Sequence, residues 1–166
     1  MEVIMLPVVF IIFSIITLGA AVAVVTSRNL FHSALFLVLS FVGVAGLYVL
    51  LEAEFLAAVQ ILVYVGAVSI LIIFAIMLTR RLMAKDLVQR NAQWGISGLA
   101  AVLLFALLCF VLLRVNWPVV EAAVSRESIS VLGQELMSTY ALPFEVASVL
   151  LLVALVGSII LARERE

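Results

Sequence analysis

Five apolar runs of about 21 to 25 residues, each the length a helix needs to cross a bilayer, dominate the chain: residues 3–26, 30–51, 55–79, 93–115 and 142–162. Transmembrane helices leave few alternatives, because backbone N–H and C=O groups in hydrocarbon have to be satisfied within the spanning segment. The expected fold is therefore an all-α integral membrane protein with five spans in a single membrane domain over residues 1–166. Composition agrees: 67% of the 166 residues are apolar and only 11% charged, against about 45–50% and about 25% in soluble domains. The net charge of −1 offers no basic surface for nucleic acid, and the lone Cys109 and lone His32 are too few for an iron–sulfur, haem or zinc site. The chain is expected to bind no cofactor. The first run ends near Ala21-Val22-Ala23, which mimics a signal-peptide cleavage site, yet it opens on Glu2 instead of a basic cluster and is too long for a leader; it reads as a span.

Connections between the runs are short. Thr26-Ser27-Arg28-Asn29 offers small polar side chains to end one helix and cap the next, and Glu52-Ala53-Glu54 makes an equally tight hairpin. Residues 116–141 form the one long connection, with Ser125, Ser128 and Ser130 among acids, suited to a surface segment holding a short amphipathic helix. Lysine and arginine set the orientation, since short cytoplasmic connections hold an excess of them. Arg28, Arg80, Arg81, Lys85, Arg90, Arg163 and Arg165 fall on one side, and Arg114 and Arg126 on the other. Seven against two predicts an N-terminus outside, a C-terminus in the cytoplasm and the 116–141 loop outside.

Charges inside a span are costly and usually functional, but the first four runs hold none well within them. Glu145, following Pro143 in the first turn of the fifth helix, is either an interfacial carboxylate favoured by the positive end of the helix dipole or a group for proton access or subunit contact. His32, one turn into the second span, reads as an interfacial structural histidine. The third run is the unusual one. Gln60 and Tyr64 lie four residues apart on one helical face, and Gly66, Ala67 and Ser69 form a flat surface for a neighbouring helix. Two readings stay open for this stretch: ordinary close packing, or a single-turn π-bulge at Gly66 that frees carbonyls and lets the helix change register. Gly19 with Ala23, Gly43 with Gly46, and Ala154 with Gly157 and Ser158 are further small-residue seams.

Three stretches together, Asn29-Leu-Phe-His32-Ser-Ala34, Gln60-Ile-Leu-Val-Tyr64-Val-Gly66-Ala67 continuing to Phe74 and Met77, and Leu142-Pro-Phe-Glu145-Val-Ala-Ser148, resemble the chain 6 family of proton-pumping NADH:quinone oxidoreductase, respiratory complex I, called subunit J in bacteria. The resemblance extends over all five spans and is most specific in the third; the fourth span and the long loop match in hydropathy alone. It implies a non-redox core subunit of the membrane arm, without an active site of its own, in a bacterial cytoplasmic membrane. Implied partners are the K-type, H-type, A-type and antiporter-like subunits and the lipid bilayer, with FMN, iron–sulfur clusters and quinone on other chains. It further implies a π-bulge at Tyr64, Gly66 and Ala67 whose formation and loss opens and closes a water path, with Gln60, Phe74 and Met77 as gating residues. Some relatives have glutamate where this chain has Gln60, so a titrating role there does not carry over. The same module serves ferredoxin-dependent quinone reductases, hydrogenases and antiporter assemblies, and the rival from another class is a self-contained small transporter.

Overall fold

The structure is a computed structural model that describes residues 2–79, 93–116 and 128–163. The basic connection bearing Arg80, Arg81, Lys85 and Arg90, the loop residues Glu121, Ser125, Arg126 and Glu127, and Arg165 lie outside the described residues. Among the described ones all regular structure is helical: α1 (Glu2–Thr26), α2 (Leu30–Leu50), α3 (Glu54–Thr79), α4 (Trp94–Arg114), α5 (Ser128–Met137) and α6 (Ala141–Ala162). Every one except α5 is long and apolar enough to span a membrane, and the five spans lie within a residue or two of the apolar runs. The ten-residue α5 falls in the long connection, where a short helix was expected.

The helices divide into two compact units, Met1–Val120 and Glu121–Glu166. In the first, α2 packs against both α1 and α3. Asn29 starts α2 by accepting the Phe31 N–H on Oδ1 at 2.9 Å. Further along, Ser33 Oγ donates to the Val24 carbonyl at 3.0 Å and Ser40 Oγ to the Thr17 carbonyl at 3.3 Å, tying α2 to α1. The two helices approach closely because Gly43 and Gly46 lack side chains. A Cβ at Gly43 would lie 2.2 Å from Thr17 Oγ1, and one at Gly46 would lie 2.2 Å from the Phe13 ring. This seam is realised within the chain. Gly19 and Gly157 meet nothing within 4 Å, so the other two seams are not used between helices of their own units.

A Schellman turn closes the α2–α3 hairpin: the Glu52 N–H donates to the Val49 carbonyl at 3.1 Å and the Ala53 N–H to the Tyr48 carbonyl at 2.9 Å. Glu52 takes the left-handed position with φ 56°, which glycine usually fills. Among the described residues of this unit the buried ones are small or polar: Ala20, Ala34, Gly43, Ala45, Ala57, Ser40, Gln60 and Ser69. Large apolar side chains such as Leu18, Val49, Leu62 and Leu71 face outward. That inversion of the soluble pattern is expected where the surroundings are as apolar as leucine and helices associate through close backbone approach. Helix α4 buries none of its residues.

In the second unit α5 packs against α6, and the Tyr140 N–H closes the turn between them on the Glu135 carbonyl at 2.8 Å. Helix α6 begins at Ala141, one residue ahead of the apolar run, so Glu145 is its fifth residue and stands in the second turn, not the first. The dipole argument, which is confined to the terminal turn, is correspondingly weaker for it. Glu145 is exposed, and α6 buries none of its residues.

Candidate functional site

Helix α3 changes its hydrogen-bonding pattern twice. Residues Glu54–Val59 are α-helical, Gln60–Val68 form a π-helix and Ser69–Thr79 return to α. The ends are marked by their amide partners. The Gln60 N–H is shared between the Leu56 and Ala57 carbonyls, four and three residues back, whereas the Ser69 N–H is shared between Tyr64, five back, and Gly66, three back. A single-turn bulge at Gly66 is one of the two readings the sequence leaves open; the observed π segment is nine residues long and begins at Gln60. Local composition favours a departure from α geometry. Ile61, Val63, Val65 and Val68 crowd the preceding turn when α-helical, and Gly66 lowers the preference for α further.

Two of the expected site residues meet one residue of α2. The Gln60 side chain, 8% exposed, points its Nε2 at the Phe41 carbonyl, 3.5 Å away, and the Tyr64 ring lies edge-on to the Phe41 ring with centroids 5.5 Å apart at 70°. Gln60 and Tyr64 thus share the face turned to α2, as their spacing suggests. Phe41 was not singled out in the sequence, although the hairpin register points to it: it lies 11 residues before Glu52, and Tyr64 lies 12 after. The second participant is the hydroxyl of Ser69, a polar group within the span whose bonding partner spacing does not specify. Ser69 is 2% exposed and its Oγ donates to the Tyr64 carbonyl at 2.6 Å.

The other expected residues are placed differently. Ala67 is exposed, and a Cβ built on Gly66 would meet only the Ile61 carbonyl at 3.5 Å, ordinary contact within α3 itself. The flat surface at Gly66 and Ala67 is not covered within this unit. Phe74 and Met77 are 67% and 62% exposed, and Tyr64 retains 44% exposure beside Phe41. His32 is exposed, with its ring edge-on to Phe31 at 6.3 Å. Among the described residues no three His, Cys, Asp or Glu side chains gather where a metal could bind. What the site offers chemically is a π-helical stretch of backbone, one buried amide and one phenol, inside a span whose one charged residue is Glu54 in its first turn.

Comparison with known proteins gives a consistent result. The family model described as NADH-ubiquinone/plastoquinone oxidoreductase chain 6 matches residues 20–161. Chain 6 of the NAD(P)H-quinone oxidoreductase of Leptolyngbya boryana is 42% identical over 159 residues, covering 93% of this chain and 78% of the relative. The corresponding chain of Synechocystis is 44% identical, covering 93% and 79%. Subunit J of the F(420)H(2) dehydrogenase of Methanosarcina mazei is 35% identical, covering 93% and 89%.

Proposed function

The chain belongs to the NADH-ubiquinone/plastoquinone oxidoreductase chain 6 family, and from that premise we propose that its third helix is a conformational gate coupling quinone reduction to proton movement. It is a multi-pass membrane subunit of a complex I-type quinone oxidoreductase, with five spans and relatives named as chain 6 of such enzymes. In our reading it has no active site of its own. FMN, iron–sulfur clusters and quinone are held by other subunits, and this chain packs beside K-type, H-type, A-type and antiporter-like neighbours in a bacterial cytoplasmic membrane. The electron donor belongs to the peripheral subunits, and both NAD(P)H-named and F(420)H(2)-named relatives share this membrane chain.

The observation that carries the gate is the π-helical segment Gln60–Val68, set within a span whose one charged residue is Glu54 in its first turn. A helix with no acid beyond its first turn does not relay protons across the membrane, but it can control water between acids on neighbouring chains. Converting one i→i+5 turn to i→i+4 takes one residue out of a turn. Everything beyond it then rotates by about 100°, enough to carry the exposed Phe74 and Met77 to new positions. The switch requires its two states to lie within about a few kcal/mol of each other, the range in which redox events on partner subunits can shift populations.

Substitutions at Gly66 test this. A single Cβ there meets only the Ile61 carbonyl at 3.5 Å, so Gly66→Ala should assemble and pump nearly as the parent does. Gly66→Val adds a β-branched side chain that constrains the backbone and the uncovered surface around it. It should leave electron transfer to artificial acceptors in the peripheral arm intact while lowering quinone reduction and proton pumping. An assembled Gly66→Val complex with unchanged quinone turnover and unchanged protons per electron would remove the gate.

A further inference from the structure

Where hydroxyl groups in these helices return to the backbone of their own helix, they do so three or four residues back, with one exception. Thr17 donates to the Phe13 carbonyl, Thr26 to Val22, Thr79 to Ala75 and Ser148 to Phe144, each four residues back, and Ser158 to Leu155, three back. Ser69 donates to Tyr64, five back, at 2.6 Å. The acceptor is the carbonyl that also takes the Ser69 backbone N–H, so both donors of one residue converge on one oxygen. That N–H is divided between Tyr64 and Gly66.

We infer that Ser69 is the positioning residue that holds α3 in its π register, its hydroxyl giving the Tyr64 carbonyl a second donor at the point where the helix returns to α geometry. This inference rests on the gate reading for its functional consequence and on hydrogen-bond geometry alone for the register. The hydroxyl has acceptors in both registers, but it is worth more in one. In the α register the Ser69 N–H bonds the Val65 carbonyl, and a hydroxyl added there is redundant. In the π register the Ser69 N–H reaches Tyr64 five back while shared with Gly66, and the hydroxyl adds a second donor to the Tyr64 carbonyl in surroundings where incomplete satisfaction is costly. The position also suits a small side chain. Ser69 is 2% exposed in a segment that packs against α2, whereas the following Ile70 is 67% exposed. The small hydroxyl-bearing side chain is turned inward and its large apolar neighbour outward. Rotation of this segment by about 100° on loss of the π turn would take Ser69 away from that buried place.

The test is the register itself, read by single-particle cryo-electron microscopy of the intact complex as the fraction of particles with a π-helix at residues 60–68. Ser69→Ala removes the hydroxyl without adding bulk and should lower the π-to-α ratio about fivefold, the effect of one net hydrogen bond. The isosteric pair Ser69→Thr and Ser69→Val separates the hydroxyl from shape: threonine should retain the register and valine should lose it. Ser148→Ala, which removes an ordinary hydroxyl bond to Phe144 in α6, should leave α3 as it is. An unchanged π fraction in Ser69→Ala, or equal behaviour of the threonine and valine variants, would overturn the role of the hydroxyl. Failure of the gate reads differently. A Ser69→Ala complex that has shifted to α but retains its proton-to-electron ratio would leave Ser69 holding the register and show that the register does not govern coupling.

Discussion

At Gly43 and Gly46 the separation of α1 and α2 is set by what is missing. A Cβ at Gly43 faces both the hydroxyl and the backbone of Thr17, with the Thr17 Cα at 3.2 Å, so there is little that can swing aside. Gly43→Ala should therefore push the helices apart and lower stability by about 1–3 kcal/mol, visible as a reduced melting temperature and yield of the assembled complex. At Gly46 the obstacle is the end of the Phe13 ring, a side chain with rotamers to spare, and the penalty should be smaller. Gly157 meets nothing within 4 Å, so Gly157→Ala should be neutral or slightly favourable for the helix; loss of assembly in that variant would mean that a partner subunit approaches α6 there. The sequence marks all three glycines identically, as small residues at helical spacing. Spacing shows that a helix can be approached closely but not by which neighbour. For the same reason the partner of the Ser69 hydroxyl was not legible: the carbonyl a hydroxyl chooses depends on backbone register, which is not written in side-chain identity.

At the level of the element, the hairpin between α2 and α3 shows a local rule broken without loss of the motif. Both Schellman hydrogen bonds form around Glu52 at φ 56°, although a left-handed non-glycine residue costs about 1–2 kcal/mol. Glu52→Gly should relieve part of that strain and slow hydrogen exchange at the Glu52 and Ala53 amides severalfold in the intact complex; faster exchange would show that the glutamate side chain contributes more than its backbone costs. The tightness of this hairpin was legible from the three polar residues between two apolar runs, and the left-handed cap was not, because no Gly or Asn advertises it. Helix α3 is the parallel case. Its span and the pairing of Gln60 with Tyr64 follow from spacing. The length of the π segment does not, because contacts such as Gln60 with the Phe41 carbonyl and Ser69 with the Tyr64 carbonyl depend on a backbone geometry that spacing does not specify.

At the scale of the whole molecule, the number and limits of the spans follow from hydropathy because hydrocarbon leaves so few backbone solutions. What the spans pack against is largely beyond one chain's sequence. Helices α4 and α6 bury none of their residues and expose Leu, Val, Ile and Phe along their length, surfaces that lipid and partner helices satisfy equally well. The partition of seven basic residues against two predicts an external N-terminus, so a single cysteine placed between Arg80 and Arg90 should react with an impermeant reagent only once the cytoplasmic side is opened. Labelling in intact cells would reverse the orientation. The central claim, that α3 of this family member works by changing register, is tested most directly by comparing structures of the complex trapped at rest and during quinone turnover. The account predicts that Gln60–Val68 is π-helical in one and α-helical in the other, with Phe74 and Met77 rotated between them. A π-helix retained unchanged in every state of an actively pumping complex would contradict it.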